Sequence, residues 1–229
     1  MAAINQTVNI LPPTLTLRGP RIILRTHESR DYPIIRDFLS DPATMTYLPG
    51  LLKEWTLEEV TERQEARVAD QKKGLRLPLS VILPGEEESL VGTSGFRSVD
   101  LVKRSAEFGI ILRRGFHGKG YAQEIMLVLF SYGFEELGLE KIEIVTSQRN
   151  IPMRRCLEGL SIREVGVMQW DDPGPMGHEV AFGYAVLLSD WKDVKLRLLG
   201  KSRSGNRLWN SDGISERVDN DRTPESRVI

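Results

Sequence analysis

Three β-rich segments follow one another in the middle of the chain, and short turns are the only connections between them. They are LPLSVIL (77–83), SLVGTSGFRSV (89–99) and SAEFGIIL (105–112). Neighbouring segments joined this closely pair as antiparallel strands, because parallel pairing needs a long crossover connection. The sequence therefore predicts an antiparallel meander at the centre of the fold.

A glycine loop follows the third segment directly. Gly118-Lys119-Gly120 separates the strand that ends at Leu112 from a helix with its apolar residues on one face. Glycines allow backbone N–H groups to converge, and a following helix adds the positive end of its dipole, so this loop is suited to hold a phosphate. Lys119, Arg113 and Arg114 add positive charge. A tight turn with solvated charges is the alternative, and these residues alone do not decide between the two.

Two familiar nucleotide motifs do not fit the loop. A P-loop needs Ser or Thr after its lysine, and Lys119 is followed by glycine. The dinucleotide fingerprint needs a third glycine where Gln123 stands, although Glu140 and Glu143 lie where a ribose-binding acid is expected. The antiparallel meander also argues against that fold. A nucleotide-binding oxidoreductase therefore remains as a disfavoured alternative.

The other elements are predicted from periodicity, caps and breakers. A helix begins near Asp31, and a second helix opens at Thr56, where Glu59 completes a capping box, and runs to about Lys73. A further helix runs from Pro152 to about Gly159. With the meander and the helix after the glycine loop, the prediction is seven strands and four helices. The strands outside the meander are residues 21–26, 141–150, 162–170 and 179–188, with a turn at DDPGPMG between the last two.

Length and composition restrict the class of protein. At 229 residues, one domain with dispensable ends is expected: an irregular extension over 1–16, a domain over 17–195 and a disordered tail over 200–229. The net charge of −1 favours neither nucleic acid nor anionic membrane as a partner. The longest apolar run, residues 125–130, is too short to span a bilayer. The single cysteine, Cys156, excludes an internal disulfide and indicates a reducing compartment. The expected location is the cytoplasm, with the nucleus as an open alternative.

Three stretches together resemble the GNAT acetyltransferase superfamily. They are RRGFHGKGYAQE (113–124), RNIPMRRCLEGLSIREVG (149–166) and the opening RIILRTHESRDYPIIRDFLSDPATMTYL (21–48). Within that superfamily they are similar to the branch of ribosomal-protein alanine N-acetyltransferases and their small-molecule relatives. The resemblance extends from residue 17 to about residue 190. It implies an α+β fold with a central, mostly antiparallel sheet of about seven strands, splayed between two parallel strands and flanked by about four helices.

The resemblance also implies a binding site for acetyl-CoA in the splay between the two parallel strands, and no metal. The backbone of Ile110, Ile111 and Leu112 is expected to pair with the pantetheine arm. Asn150 is expected to contact the same arm from the second strand; the alternative is an asparagine that ends a strand and caps a helix. The residues expected to hold the pyrophosphate are Arg113, Arg114, Gly115, His117, Gly118, Lys119, Gly120 and Tyr121.

The implied reaction is attack of a primary amine on a thioester, which requires a group that takes the proton of the amine. Glu107 stands where this branch often has Glu and is the candidate base; the alternative is an acid that faces solvent or pairs with a basic neighbour. His27 has no motif around it. The expected acceptor is a small-molecule amine or a protein N-terminus, and the expected protein is a monomer or a homodimer.

Several positions depart from the family pattern, among them Met153, where a small Ser or Ala is common, and Ser161-Ile162, where the family has Gly-Phe. Two further departures concern the expected site. Gly115 replaces an Arg or Gln that commonly opens the phosphate motif, and Leu157 stands where many members have a Tyr that protonates the leaving thiolate. No side-chain acid is evident at that point. A non-catalytic module that binds acyl-CoA or a partner protein is therefore the alternative function.

Overall fold

A single mixed sheet of eight strands is the framework of the computed structural model, which describes residues 11–85, 89–171 and 178–203. The strands are β1 (Thr16–Arg18), β2 (Ile23–Thr26), β3 (Leu77–Leu83), β4 (Ser89–Asp100), β5 (Ser105–Leu112), β6 (Lys141–Ser147), β7 (Arg163–Asp171) and β8 (His178–Leu187). The α-helices are α1 (Tyr32–Leu39), α2 (Leu57–Lys72), α3 (Tyr121–Ser131), α4 (Ile151–Gly159) and α5 (Leu188–Arg203). This architecture confirms the α+β fold class.

The order of strands across the sheet is β1-β2-β3-β4-β5-β6-β8-β7. The pairs from β1 to β5 are antiparallel, which confirms the meander, and β6–β8 and β8–β7 are antiparallel as well. Strands β5 and β6 are parallel, because α3 and a π-helical turn over Tyr132–Glu136 carry the chain back between them. This topology does not have the repeated strand-helix-strand units of a dinucleotide-binding fold.

The two faces of the sheet carry separate apolar clusters. Alternation along β3 sends Leu79 and Val81 to one face and Ile82, after a bulge, to the other. The larger cluster packs against α3, α4 and α5, and the ring of Phe108 meets that of Phe130 edge-on at a centroid distance of 5.2 Å. The smaller cluster packs against α1 and α2. Residues that alternate along a strand therefore belong to different environments.

Two elements were not predicted. Strand β1 is only three residues long and lies at the end of the predicted irregular extension. Over residues 188–200, helix α5 buries only Trp191, Val194 and Leu198, an apolar stripe too narrow to stand out in the sequence. Within the described residues, the sheet has eight strands and is flanked by five α-helices, one more of each than the expected numbers of about seven and about four. Helix α5 also continues past residue 200, where the tail was expected to begin.

Three predicted segments lie partly or wholly outside the described residues: most of the N-terminal extension, most of the turn at DDPGPMG and the tail beyond Arg203. Both predicted helix starts are confirmed. Thr56 and Glu59 form the predicted capping box of α2. Asp31 precedes α1 but does not cap it with its side chain, because both carboxylate oxygens accept hydrogen bonds from Arg25 at 2.8 Å.

Candidate active site

Strands β5 and β6 separate part-way along their length. Their parallel pairing runs from Ser105 and Lys141 to Phe108 and Ile144 and then stops, although both strands continue. Residues 109–112 remain paired with β4 on the other side. The side chains of Ile110 and Leu112 pack against the larger cluster and that of Ile111 against the smaller one. The backbone edge of residues 109–112 therefore faces an opening within the sheet.

The glycine loop lies at the end of this opening. Gly118 and Gly120 adopt left-handed backbone conformations with φ of +71° and +82°, a region that glycine enters without steric cost. A methyl group added at Gly115 or Gly118 would meet no atom within 4 Å, so open space lies beside the loop. Helix α3 starts immediately at Tyr121, and its first N–H groups have no partners within the helix. These features fit a site for a phosphate group.

The polar side chains of the loop contact the sheet and one another. Nε2 of His117 lies 2.7 Å from the carbonyl oxygen of Leu112, and Nδ1 of the same ring lies 3.5 Å from Arg114. Arg113 donates to the carbonyl oxygen of Leu90 in β4 at 3.2 Å. The Lys119 ammonium lies 5.3 Å from the centre of the Phe116 ring. The structure therefore brings the predicted phosphate-binding residues together at the end of β5.

A buried ion pair, missed by the sequence analysis, holds the loop against α3. Glu124, which is 3% exposed, accepts hydrogen bonds from the backbone N–H of Arg21 at 2.6 Å and from its Nε at 2.8 Å. Arg21 also donates from Nη1 to the carbonyl oxygen of Lys119 at 3.1 Å, and its guanidinium lies 4.8 Å from the centre of the Tyr121 ring. The one sequence signal was an acidic residue at the start of an otherwise apolar helix.

The turn at Asp41-Pro42 supports the other end of the loop. Oγ1 of Thr44 accepts a hydrogen bond from the backbone N–H of Arg114 at 3.1 Å and donates one to Asp41 at 2.6 Å. The Thr44 hydroxyl, together with backbone N–H groups of the same turn and the charge of Arg113, lowers the pKa of Asp41 below its ordinary value. The turn at Asp41-Pro42 is therefore part of the scaffold of the loop.

Glu107 lies on β5, on the face of the sheet that carries α1 and α2. Its Oε1 accepts a hydrogen bond from Nη1 of Arg97 at 2.9 Å, and its side chain remains 27% exposed. The parallel register places Glu143 of β6 beside it, where Lys141 forms an ion pair with Glu143. Glu107 thus has the basic neighbour that the structural alternative required, and part of its side chain remains accessible.

Comparison with known proteins identifies the family. Residues 21–162, more than half of the chain, match the family model described as "Acetyltransferase (GNAT) domain". The chain belongs to this GNAT family. A relative, the uncharacterized N-acetyltransferase p20 of Bacillus licheniformis, is 30% identical over 160 residues, which cover 67% of this chain and 85% of that protein.

Two solved GNAT structures have the same fold. RimL, described as a ribosomal L7/L12 alpha-N-protein acetyltransferase in complex with coenzyme A, gives a TM-score of 0.66 at 14% identity and covers 76% of this chain and 98% of that one. A spermidine N-acetyltransferase from Vibrio cholerae in complex with CoA and spermine gives a TM-score of 0.65 at 21% identity, with coverages of 75% and 98%. At these identities the likeness shows the fold alone.

Asn150 and Leu157 occupy two positions of interest in this GNAT domain. Asn150 lies beyond the end of β6 and is the N-cap of α4: its Oδ1 accepts from the backbone N–H of Met153 at 3.3 Å, and its Nδ2 donates to Thr146 at 3.0 Å. Both ends of the amide thus have local partners, as the capping alternative predicted. Leu157 is fully buried in the larger cluster and supplies no acid.

Neither a metal centre nor a membrane-spanning helix occurs in the described ranges. Within residues 11–85, 89–171 and 178–203, no three His, Cys, Asp or Glu side chains are grouped so that they would hold a metal ion. Across the same ranges, no helix combines the length and the apolar character that crossing a bilayer requires.

Proposed function

We propose that this GNAT protein transfers the acetyl group of acetyl-CoA to a primary amine, on either a protein N-terminus or a small molecule. The observation that carries the proposal is the opening between β5 and β6, which leads directly to the glycine loop and the start of α3. The two solved structures support both kinds of acceptor, since one is described as an alpha-N-protein acetyltransferase and the other as a spermidine N-acetyltransferase.

The residues present fit acetyl-CoA. The backbone edge of residues 109–112, which is not paired with β6, would bind an extended amide-containing arm as a strand does. The backbone N–H groups around Gly118 and Gly120, with Arg114, His117 and Lys119 nearby, would hold the pyrophosphate. Asn150 would reach the arm only by exchanging its capping contacts for contacts with the ligand. Acetyl-CoA, when bound, supplies the activated acetyl thioester.

Glu107 is the proposed base. A primary amine has a pKa near 10 and is almost wholly protonated at pH 7, so it must lose a proton before it attacks. Glu107 lies on the strand that borders the opening, on the same face as Glu143, and part of its surface is accessible. Its carboxylate would accept the proton directly or through a water molecule, while the ion pair with Arg97 fixes its orientation.

Release of free thiol from acetyl-CoA tests the proposal, with a panel of primary amines and with peptides that have free N-termini. We expect release that depends on the amine and that falls at least tenfold in Glu107→Gln. Binding of CoA without release for any amine would instead support the non-catalytic module, an alternative motivated by the buried Leu157. Absence of CoA binding would contradict both functions.

A further inference from the structure

Four arginines lie close together on the face of the sheet that carries α1 and α2. Arg63 and Arg67 belong to α2, which packs against β3. Arg76 and Arg97 are neighbours across the sheet, because the register pairs Leu77, the next residue after Arg76, with Phe96. The aliphatic part of Arg97 lies over Gly109 of β5, where a side chain would collide with it at 2.6 Å. Positive charge is therefore concentrated beside the opening in the sheet.

Acidic side chains balance only half of this charge. Arg76 lies 3.3 Å from Asp70, and Arg97 lies 2.9 Å from Glu107. Among the residues that the structure describes, no carboxylate lies within ion-pair distance of Arg63 or Arg67. Burial, and then the charges of Arg63 and the other two arginines, lower the pKa of Arg67 to about 9. A second positive charge without a carboxylate partner thus lies against the first.

Gln64, between the two helical arginines, is also without partners. Its side chain is fully buried, and neither its Nε2 nor its Oε1 has a hydrogen-bond partner within the described part of the chain. Among the described residues the buried Nε of Arg63 has no hydrogen-bond partner either, and its guanidinium lies 5.2 Å from the Trp55 ring. Buried polar groups in proteins are nearly always hydrogen-bonded. A buried amide beside two unpaired cations indicates that an anionic ligand belongs there.

We propose that Arg63, Gln64 and Arg67, which we call the arginine pocket, bind the carboxylate of the amine acceptor. This inference rests on the proposed function and specifies its substrate class: an amine that carries a carboxylate a few bonds away. Guanidinium groups match a carboxylate in geometry and keep their charge, and the Gln64 amide would donate a further hydrogen bond. The charge of Arg97 acts on both Arg63 and Arg67, and Arg97 pairs with Glu107, so the carboxylate end and the amine end of one small molecule would reach the pocket and Glu107 together.

Acceptors matched in length test the pocket. The full chain is assayed for thiol release with γ-aminobutyrate, n-butylamine and putrescine, which have four carbons each and end in a carboxylate, a methyl group and a second ammonium. We expect kcat/KM to be at least tenfold higher for γ-aminobutyrate than for n-butylamine, and lowest for putrescine because the pocket repels cations. β-Alanine against n-propylamine repeats the comparison at a shorter length. Equal values of kcat/KM within both series would overturn the proposal.

Variants of residues in α2 distinguish binding of the acceptor's carboxylate from the acetyl transfer itself. Arg63→Gln and Arg67→Gln are each expected to raise KM for γ-aminobutyrate at least tenfold and to leave KM for n-butylamine and acetyl-CoA within about twofold. Arg67→Lys keeps the charge and should recover part of the affinity. Lys72→Gln removes an exposed cation from the same helix and should change none of these values. If a variant at Arg67 raised KM by the same factor for γ-aminobutyrate and for n-butylamine, Arg67 would have a structural role only.

Direct binding distinguishes failure of the pocket from failure of the proposed function. Titration of γ-aminobutyrate into the protein by calorimetry needs no turnover. We expect binding to the unaltered protein and at least tenfold weaker binding to Arg67→Gln. If no amine is acetylated but this difference in binding is found, the result supports the pocket and contradicts the proposed reaction. If amines are acetylated and the difference in binding is absent, the result supports the reaction and contradicts the pocket.

Discussion

Nη1 of Arg97 donates a hydrogen bond to Oε1 of Glu107 across 2.9 Å, from β4 to β5. The bond holds the carboxylate above the strand whose free edge borders the opening. Because Glu107→Gln keeps the size of the side chain and removes its basicity, we expect kcat at pH 7 to fall at least tenfold, with CoA affinity within about threefold. Activity should partly recover at higher pH, where more of the amine is neutral.

A matched control for this variant is Glu143→Gln. Glu143 is the neighbour of Glu107 in the parallel register, and its own ion pair is with Lys141. Steady-state rates between pH 6 and 9, in a series of buffers, are the measurement. We expect Glu143→Gln to leave kcat within about twofold. Unchanged kcat in Glu107→Gln across that pH range would show that Glu107 is only a structural partner of Arg97.

Gly120→Val should weaken CoA binding at least tenfold, or about 1.4 kcal/mol. The φ of +82° is strongly unfavourable for a branched side chain, and the new Cβ would stand 3.4 Å from Arg21. Gly74→Val is the control, since Gly74 has a similar φ of +75° but lies after α2. Both variants should lose stability, and only Gly120→Val should lose CoA affinity by calorimetry. Equal affinity in the two variants would place the phosphate elsewhere.

Arg21→Met should destabilise the fold by about 2 kcal/mol, because it leaves the buried Glu124 carboxylate without its charged partner. The guanidinium is itself 44% exposed, so the loss is smaller than for a fully buried pair. In the double variant Arg21→Met/Glu124→Gln, no buried charge remains at this site, and part of the stability should return. Urea unfolding of both single variants and the double variant measures this coupling. Additive losses would show that the two residues act independently.

The imidazole of His27 makes stability fall in acid. Its Nδ1 lies 2.7 Å from Oγ of Ser80, and burial, with the charge of Arg67, lowers its pKa to about 3. Between pH 6.5 and about 3, His27 therefore binds a proton in the unfolded chain but not in the folded protein. As the pH falls through this range, the free energy of unfolding decreases by up to about 1.4 kcal/mol per pH unit. Neighbouring charges act in both directions, since Asp31 raises this pKa and Arg25 lowers it.

Unfolding experiments between pH 7 and 4 test the contribution of His27. In His27→Gln the slope of unfolding free energy against pH should decrease by the equivalent of one proton. The window ends at pH 4 because Asp31 titrates below it: hydrogen bonds from Arg25, the Glu28 backbone and Ser80 outweigh the effect of burial and lower the pKa of Asp31 from 3.8. An unchanged slope would mean that His27 becomes protonated in the folded protein.

Arg67→Met should stabilise the fold by about 1 kcal/mol, because a partly buried cation without a carboxylate partner among the described residues costs more than an apolar chain of similar length. The pKa of about 9 lies below the ordinary value of 12.5, so this cost is fully present below pH 9 and decreases as pH rises above it. Lys72→Met, on the same helix but exposed, should change the melting temperature little. A lower melting temperature in Arg67→Met would assign a structural role to Arg67.

The parts of the fold that depend on nearby residues were predictable from the sequence. The capping box of α2 needs only Thr56 and Glu59, and the glycine loop needs only the conformational freedom of Gly118 and Gly120. Contacts across the sheet were not predictable. Arg21 and Glu124 are 103 positions apart, and the contact of Arg97 with Glu107 depends on the register between β4 and β5, which shifts between Phe96 and Ser98. The arginine pocket depends on how α2 is rotated against β3, which no local pattern specifies.

Pairing between β5 and β6 joins two parts of the sheet, β1 to β5 and β6 to β8, over only four residues of each strand. Beyond Phe108 this sheet has an edge in its interior, where hydrogen-bonding groups have no neighbouring strand. An extended ligand in the opening would replace the missing strand and fasten the two parts together, in addition to any chemistry. Resistance to proteolysis and to unfolding would then vary with ligand concentration. The lifetime of the protein in a cell would then depend on the concentration of that ligand in the cell.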